Sequence, residues 1–311
     1  NKFRAKAFVD AFINNVDWKQ EVDRLNRISK MTKAEIVSFA NRFFDNGYAA
    51  VYKVQGTDTT IQKVDKPKIT PIPTTNDKQS AFLQEIVNHQ VEPIKPVFVD
   101  FKKDLTKSTT KKGWPILYKQ NTQDDLFTLY LEIPFGKESD LLPGYAKMYI
   151  DYLGTDKMTN AQIKQELYKL ACDYDIEQSE DETYFYMTGL NENLPKALAL
   201  INYVIDNAKV DKAAYNAAVD LLIKSQKDNK ADQKGNFRAL QDYGMYGAYN
   251  STRNILSEEQ LKNMDPQKLL NSLKGLKNYK QTVLYYGPSS LKDIDNLLSK
   301  TFKTAKKFTP L

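Results

Sequence analysis

Apolar and polar residues alternate most cleanly over Asp125–Ile133. Phe127, Leu129, Leu131 and Ile133 fall on one side, and Thr128, Tyr130 and Glu132 on the other. Period-two alternation of this length predicts a half-buried strand. Shorter runs predict strands at Val97–Phe101, Trp114–Lys119 and Thr183–Leu190. Elsewhere the spacing is helical. Leu194, Ala197, Leu198, Ile201 and Ile205 set a helix over Leu194–Asn207, and Ile163, Leu167, Leu170 and Ala171 form the apolar stripe of another. Thr159 with Gln162, and Thr32 with Glu35, spell capping boxes that start two helices. Further helices are predicted over Lys2–Asn15, Ser80–Asn88, about Leu141–Leu153 and Ser290–Phe302. Asp211 caps a long helix through Val219 and Leu222, with looser helical turns to about Gly247.

Two stretches repeat one pattern. MTKAEIVSFANRFFDNGYAAVYKVQG (Met31–Gly56) and NMDPQKLLNSLKGLKNYKQTVLYYG (Asn263–Gly287) each read as a short amphipathic helix, a polar break and a strand closed by glycine. Tyr48, Tyr52, Val54 and Gly56 match Tyr279, Val283, Tyr285 and Gly287 at a constant offset. Met31, Ile36 and Val37 match Met264, Leu269 and Leu270 after a two-residue shift. An ordered match of this kind argues for a duplicated unit. Only a short stretch precedes the first copy, so the chain is expected to begin inside a domain and to be a piece of something larger. Residues 1–57 then read as the tail of a truncated domain, with a strand at Ala49–Gln55. Residues 58–95, rich in Thr, Pro, Lys and Asp, read as a tether, and residues 96–311 as a complete domain. Lys307–Leu311 starts an element that the sequence does not finish. The order of three strands, two helices, strand, helices, strand, helix predicts an α+β fold: a mostly antiparallel sheet with helices packed on one face.

Composition narrows the chemistry. The 311 residues are 41% hydrophobic, enough for a real core. The net charge of +6 comes from 39 Lys against 6 Arg. Arginine is the residue suited to bidentate phosphate recognition, so its scarcity argues against a nucleic-acid partner. No apolar run is long enough for a membrane span. Cys172 is the single cysteine, which excludes an intrachain disulfide and a cysteine-built zinc site. Its place in QELYKLACDYD reads as the apolar side of a helix.

No phosphate-binding glycine loop and no G-x-S-x-G elbow occurs. The one histidine, His89, falls in the tether helix and reads as solvent-facing. Asp124–Asp125 and the cluster Glu177, Glu180, Asp181 and Glu182 read as solvated turn charge, because a general acid needs a partly buried carboxyl. Tyr184–Phe185–Tyr186 and Tyr243, Met245, Tyr246 and Tyr249 read as core and rim, or as a binding surface. Taken alone, the residues yield an architecture and no catalytic, metal or substrate-binding residue.

One stretch carries a resemblance. GYAKMYIDYLGTDKMTNAQIKQELYKLACDYD (Gly144–Asp175) resembles the helix pair of the insulinase or pitrilysin family of zinc peptidases, whose inverted motif is H-x-x-E-H. Leu153–Gly154–Thr155 matches the end of the family's apolar run, and Gln162–Leu170 its second helix; Met31–Gly56 looks like the closing helix and strand of a family domain. Aligned on Gly154–Thr155, the zinc motif falls on Tyr145-Ala146-Lys147-Met148-Tyr149. The family's third ligand, a later glutamate, falls near Leu222, and no glutamate lies between Glu192 and Glu258. The resemblance therefore implies a non-catalytic copy of the domain, the third of four, binding no metal itself. It implies a parent zinc-dependent metalloendopeptidase whose halves close around a peptide or unfolded polypeptide, with this segment as linker and chamber wall. A bacterial periplasm or cell envelope follows by the same analogy. The alternative is a stand-alone, non-catalytic polypeptide-binding or scaffolding protein on the same fold.

Overall fold

The alternating stretch that ends at Ile133 does form a strand, and it lies inside a six-stranded sheet. The computed structural model describes residues 2–56, 59, 60, 62, 64–72, 78–302 and 308–310. The chain divides into two compact units, Asn1–Val91 and Glu92–Leu311.

The first unit is helical: α1 (Lys2–Ile13), α2 (Trp18–Val22), α3 (Arg24–Ser29), α4 (Lys33–Phe43) and α5 (Ala81–Asn88). Phe8 stacks on Trp18 at 4.1 Å, and Ala11 is buried. The capping box at Thr32 forms as read: the Thr32 amide donates to Glu35 at 2.7 Å and the Glu35 amide to Thr32 Oγ1 at 3.3 Å. Ala49–Gln55 is not a strand. It carries neither helix nor strand, and Val51, Tyr52 and Val54 are exposed. A strand exists only through its ladder, and among the described residues this segment has no ladder partner. Residues 64–72 carry neither helix nor strand.

The second unit contains β1 (Thr106–Thr109), β2 (Pro115–Gln120), β3 (Leu126–Ile133), α6 (Leu142–Ile150), α7 (Asn160–Leu170), β4 (Cys172–Gln178), β5 (Thr183–Leu190) and α8 (Leu194–Asn207). Then follow α9 (Lys212–Ala231), α10 (Gln233–Tyr246), α11 (Glu258–Asn263), α12 (Pro266–Gly275), β6 (Thr282–Gly287) and α13 (Leu291–Thr301). The strand order is β1-β2-β6-β3-β5-β4. Only the β2–β6 pairing is parallel; the others are antiparallel. One sheet face meets the helices through Ile116, Phe127, Leu129, Met187, Val283 and Tyr285, all nearly inaccessible. The fold is the expected α+β arrangement, with helices on that single face.

Two local readings need correction. Val97–Phe101 is not a strand; its apolar residues are exposed and the first strand begins at Thr106. Cys172 is not helical. Ala171 adopts a left-handed conformation (φ 48°) and closes α7, so Cys172 opens β4 opposite Gly189. Apolar spacing runs on past the helix, but the left-handed turn reverses the chain. At the other end, Lys307 and Leu311 lie outside the described residues. Thr309 forms a parallel bridge with Tyr279 and donates from its amide to Asn278 O at 2.8 Å.

Gly189 is held at φ +147°, between Phe127 of β3 and Cys172 of β4. A Cβ there would lie 2.4 Å from Ala171 O and 2.7 Å from Cys172 Cα, both backbone atoms. Gly189→Ala is therefore expected to cost roughly 2–4 kcal/mol, from backbone strain and overpacking together. Urea unfolding should show a lowered midpoint with an unchanged slope. An unaltered midpoint would mean that β4 and β5 do not approach this closely.

Candidate functional site

The positions that align with the zinc ligands of the insulinase-type motif do come together. Tyr145 and Tyr149 sit one turn apart on α6, and with Leu222 of α9 they line one small apolar crevice between helices. They face the helical layer. Tyr149 is 1% exposed and meets Tyr215 of α9 edge-on, with ring centroids 5.4 Å apart. Its hydroxyl donates to Asp211 O and accepts from Asp211 N, both at 2.9 Å. The half-buried Tyr145 accepts from the Leu256 amide at 3.0 Å, and the Tyr215 hydroxyl donates to Leu261 O at 2.5 Å. Burial pushes all three phenols above the ordinary tyrosine value. They are therefore neutral near pH 7, and their oxygens are committed to backbone groups. Two hydrogen-bonded phenols and a leucine are not a donor set for zinc, which takes imidazole, thiolate or carboxylate. Among the described residues no group of three His, Cys, Asp or Glu side chains could hold a metal.

The remaining candidates scatter. Asp124 ties the β2–β3 turn, accepting from Asn121 Nδ2 at 2.6 Å and from the Leu126 amide at 3.0 Å. His89 is the exposed C-cap of α5. Cys172 is buried, and burial raises its thiol. Tyr243, Met245, Tyr246 and Tyr249 are all exposed, the first three on or at the end of α10.

The second concentration of side chains is the sheet face away from the helices. Cross-strand partners share a face, so the register assigns this surface row by row. One row runs Lys119–Tyr286–Thr128–Thr188–Asp173. The next runs Leu117–Leu284–Tyr130–Tyr186–Asp175, and the third Thr282–Glu132–Tyr184–Glu177. Four tyrosines thus stand on an open β-surface that grades from a lysine to a carboxylate edge. Tyr130 packs against Tyr186 at 4.8 Å and Tyr184 at 5.7 Å. Tyr286 is 42% exposed and donates to Asn121 Oδ1 at 3.1 Å. Burial raises the Glu132 carboxyl, with Glu182 adding to it. The Tyr184 hydroxyl donates to Glu177 Oε2 at 2.6 Å, and this bond pushes its pKa up to about 12.

Such a face offers flat aromatic area with hydrogen-bonding hydroxyls, a surface suited to extended polypeptide. Sequence reasoning singled out Tyr184 and Tyr186 but not their assembly with Tyr130 and Tyr286. The polar side of the β3 alternation already carried part of that signal. Glu177 is likewise not turn charge: it stands on β4 and holds Tyr184.

Comparisons with known proteins agree with this architecture. The family profile described as insulinase (peptidase family M16) matches residues 116–252. The beta subunit of mitochondrial-processing peptidase from Neurospora crassa is 22% identical over 128 residues, covering 40% of this chain and 27% of that protein. The chain thus spans about a quarter of this relative's length. Among solved structures, a peptidase M16 inactive domain from Pseudomonas fluorescens superposes with a TM-score of 0.53 at 14% identity, covering 67% of this chain and 54% of the other. The periplasmic protease PqqL from Escherichia coli gives a TM-score of 0.55 at 12% identity, over 99% of this chain and 36% of the other. These likenesses concern the fold.

Two expectations follow. Tyr149→Phe removes the partner of both backbone groups of Asp211 and should cost about 1–3 kcal/mol, while Tyr145→Phe should cost less. Denaturant unfolding that registers no loss at either position would place the phenols in solvent. Separately, the ring carbon resonances of Tyr184 followed by NMR should titrate near pH 12. In Glu177→Gln the midpoint should fall toward the ordinary value of about 10, and no fall would assign the shift to another neighbour.

Proposed function

Residues 116–252 belong to the insulinase family of peptidases, and from that premise we propose that this chain is a non-catalytic segment of an insulinase-type zinc endopeptidase. Its open sheet face is a wall against which peptide or unfolded polypeptide rests. One observation carries the reading. Tyr145 and Tyr149, one turn apart on α6, meet the distant Leu222 of α9 at one crevice as metal ligands would, yet these side chains cannot activate water. The domain keeps the framework of the site without its chemistry, so zinc and cleavage belong to another part of the parent protein.

The other parts follow the same reading. Residues 1–57 are the tail of a further family domain, and α4 is its closing helix. In the second copy Leu269, Leu270, Val283 and Tyr285 are buried, whereas Ile36, Val37, Tyr52 and Val54 of the first are exposed. Residues 58–95 link the two halves, where hinge motion opens and closes the chamber. Residues 96–311 are the complete non-catalytic domain. The E. coli neighbour is a periplasmic protease, which supports the bacterial envelope as compartment, although the Neurospora relative is mitochondrial. No helix among the described residues is long and apolar enough to cross a membrane.

Fluorescence anisotropy with a labelled unstructured peptide tests the wall. The double variant Tyr130→Ala, Tyr186→Ala should bind roughly tenfold more weakly, with its circular dichroism unchanged. With zinc added, a quenched fluorescent peptide should stay intact. Equal affinity of variant and wild type would remove the sheet face from the proposal, and chelator-sensitive cleavage would remove the non-catalytic assignment.

A further inference from the structure

A reactive pair of residues lies in the first unit, away from both the tyrosine crevice and the open sheet face. Asn46 and Gly47 form the single Asn-Gly step of the 311-residue chain. They sit in the bend that leaves α4, and both are exposed. An asparagine amide can be attacked at Cγ by the backbone nitrogen of the next residue, and a side chain on that residue hinders the approach. Glycine has none, and its backbone moves most freely. The Asn46 amide has no hydrogen-bond partner among the described residues, so nothing holds its Cγ away from the Gly47 nitrogen. The proton that this nitrogen must give up is bonded to Asp45 Oδ1 at 2.8 Å, a separation at which a carboxylate can help to remove it.

The rest of the chain shows what protects an asparagine. Asn250 and Asn271 each precede serine, also a small residue. Asn250 is buried, and its amide is engaged at both ends: Nδ2 donates to Gly247 O at 2.8 Å, and Oδ1 accepts from the Arg253 amide at 3.3 Å. Asn271 and Ser272 lie inside α12, where helical geometry keeps the following nitrogen in the backbone ladder. In the second copy of the repeat, Lys277 and Asn278 take the places of Asn46 and Gly47. The order of amide before glycine is thus confined to the first copy.

We propose that Asn46 is a site of spontaneous deamidation. The Gly47 nitrogen bonds to Asn46 Cγ, the Cγ–Nδ2 bond breaks, and the displaced proton leaves with that nitrogen as ammonia. Water then opens the cyclic imide. Cleavage of the new Cγ–N bond yields aspartate. Cleavage of the original backbone C–N bond yields isoaspartate, which carries the chain through Cγ. Either product lowers the formal net charge of +6 by one. It also places a second carboxylate beside Asp45, just past the electronegative C-terminal end of α4. This site is independent of the peptide-wall reading, since it belongs to the first unit.

The test incubates the full 311-residue chain at physiological temperature, at neutral and at mildly alkaline pH. Tryptic peptide mass spectrometry follows each asparagine over time, and electron-transfer fragmentation tells isoaspartate from aspartate. Asn46 should convert before Asn250 and Asn271, faster at the higher pH, with isoaspartate among the products. The same incubation in urea should speed conversion at Asn250 and Asn271 and leave that at Asn46 nearly unchanged. Gly47→Ala should slow the reaction at Asn46 severalfold. Mapping of the wild-type chain needs no variant, so a misfolded variant does not spare the proposal. An Asn46 that stays intact in the native protein, or converts no faster than Asn250 and Asn271, would overturn it. A large acceleration at Asn46 in urea would overturn it as well, because the native bend would then be protecting the amide.

Discussion

The second unit depends on the seating of β6 between β2 and β3. Its hydrogen bonds run to both neighbours, parallel on one side and antiparallel on the other. Val283 and Tyr285 are among the least accessible residues of the core. Tyr285 stacks with Tyr118 at 5.8 Å, and its hydroxyl donates to Asn191 Oδ1 at 2.8 Å and accepts from the Ser289 amide at 3.1 Å. One side chain thus joins β2, the end of β5 and the entry to α13. Because β6 is the last strand, the sheet cannot close until nearly the whole domain has been threaded. That non-local closure is a property associated with slower folding. The same logic explains the first copy of the repeat: a helix and following segment with the same pattern, but no ladder partner among the described residues, leave Tyr52 and Val54 in solvent.

Closing the sheet this way separates its two faces. Helices α6, α8 and α12 take the apolar face. The opposite face is left with tyrosines, threonines and carboxylates at register positions that bring Tyr130, Tyr184 and Tyr186 into one cluster. A sheet covered on one side can keep a hydrated, hydrogen-bonding surface on the other. The candidate surface is therefore a consequence of the architecture.

The tyrosine crevice shows how buried phenols can serve packing. Tyr145 and Tyr149 put neutral phenols at the helix interface. Each phenol satisfies backbone groups that end or begin other elements: Leu256 just before α11, and Asp211 at the cap of α9. A buried polar group with its partner in place helps hold the helices in one arrangement.

Local rules made much of this legible in the chain itself. Period-two alternation identified β3, a shorter run identified β5, helical spacing set α8 at Leu194–Asn207, and the boxes at Thr32–Glu35 and Thr159–Gln162 start their helices where the residues say. What the sequence could not carry is pairing. Ala49–Gln55 and Val97–Phe101 have strand-like composition and no ladder, while the polar stretch Cys172–Gln178 is a strand because β5 lies beside it. The tyrosine rows exist only in the register and packing of distant segments. Helix signals are satisfied within a few residues of chain, whereas strands, faces and cavities are made by neighbours far away in sequence, so the tertiary structure alone decided them.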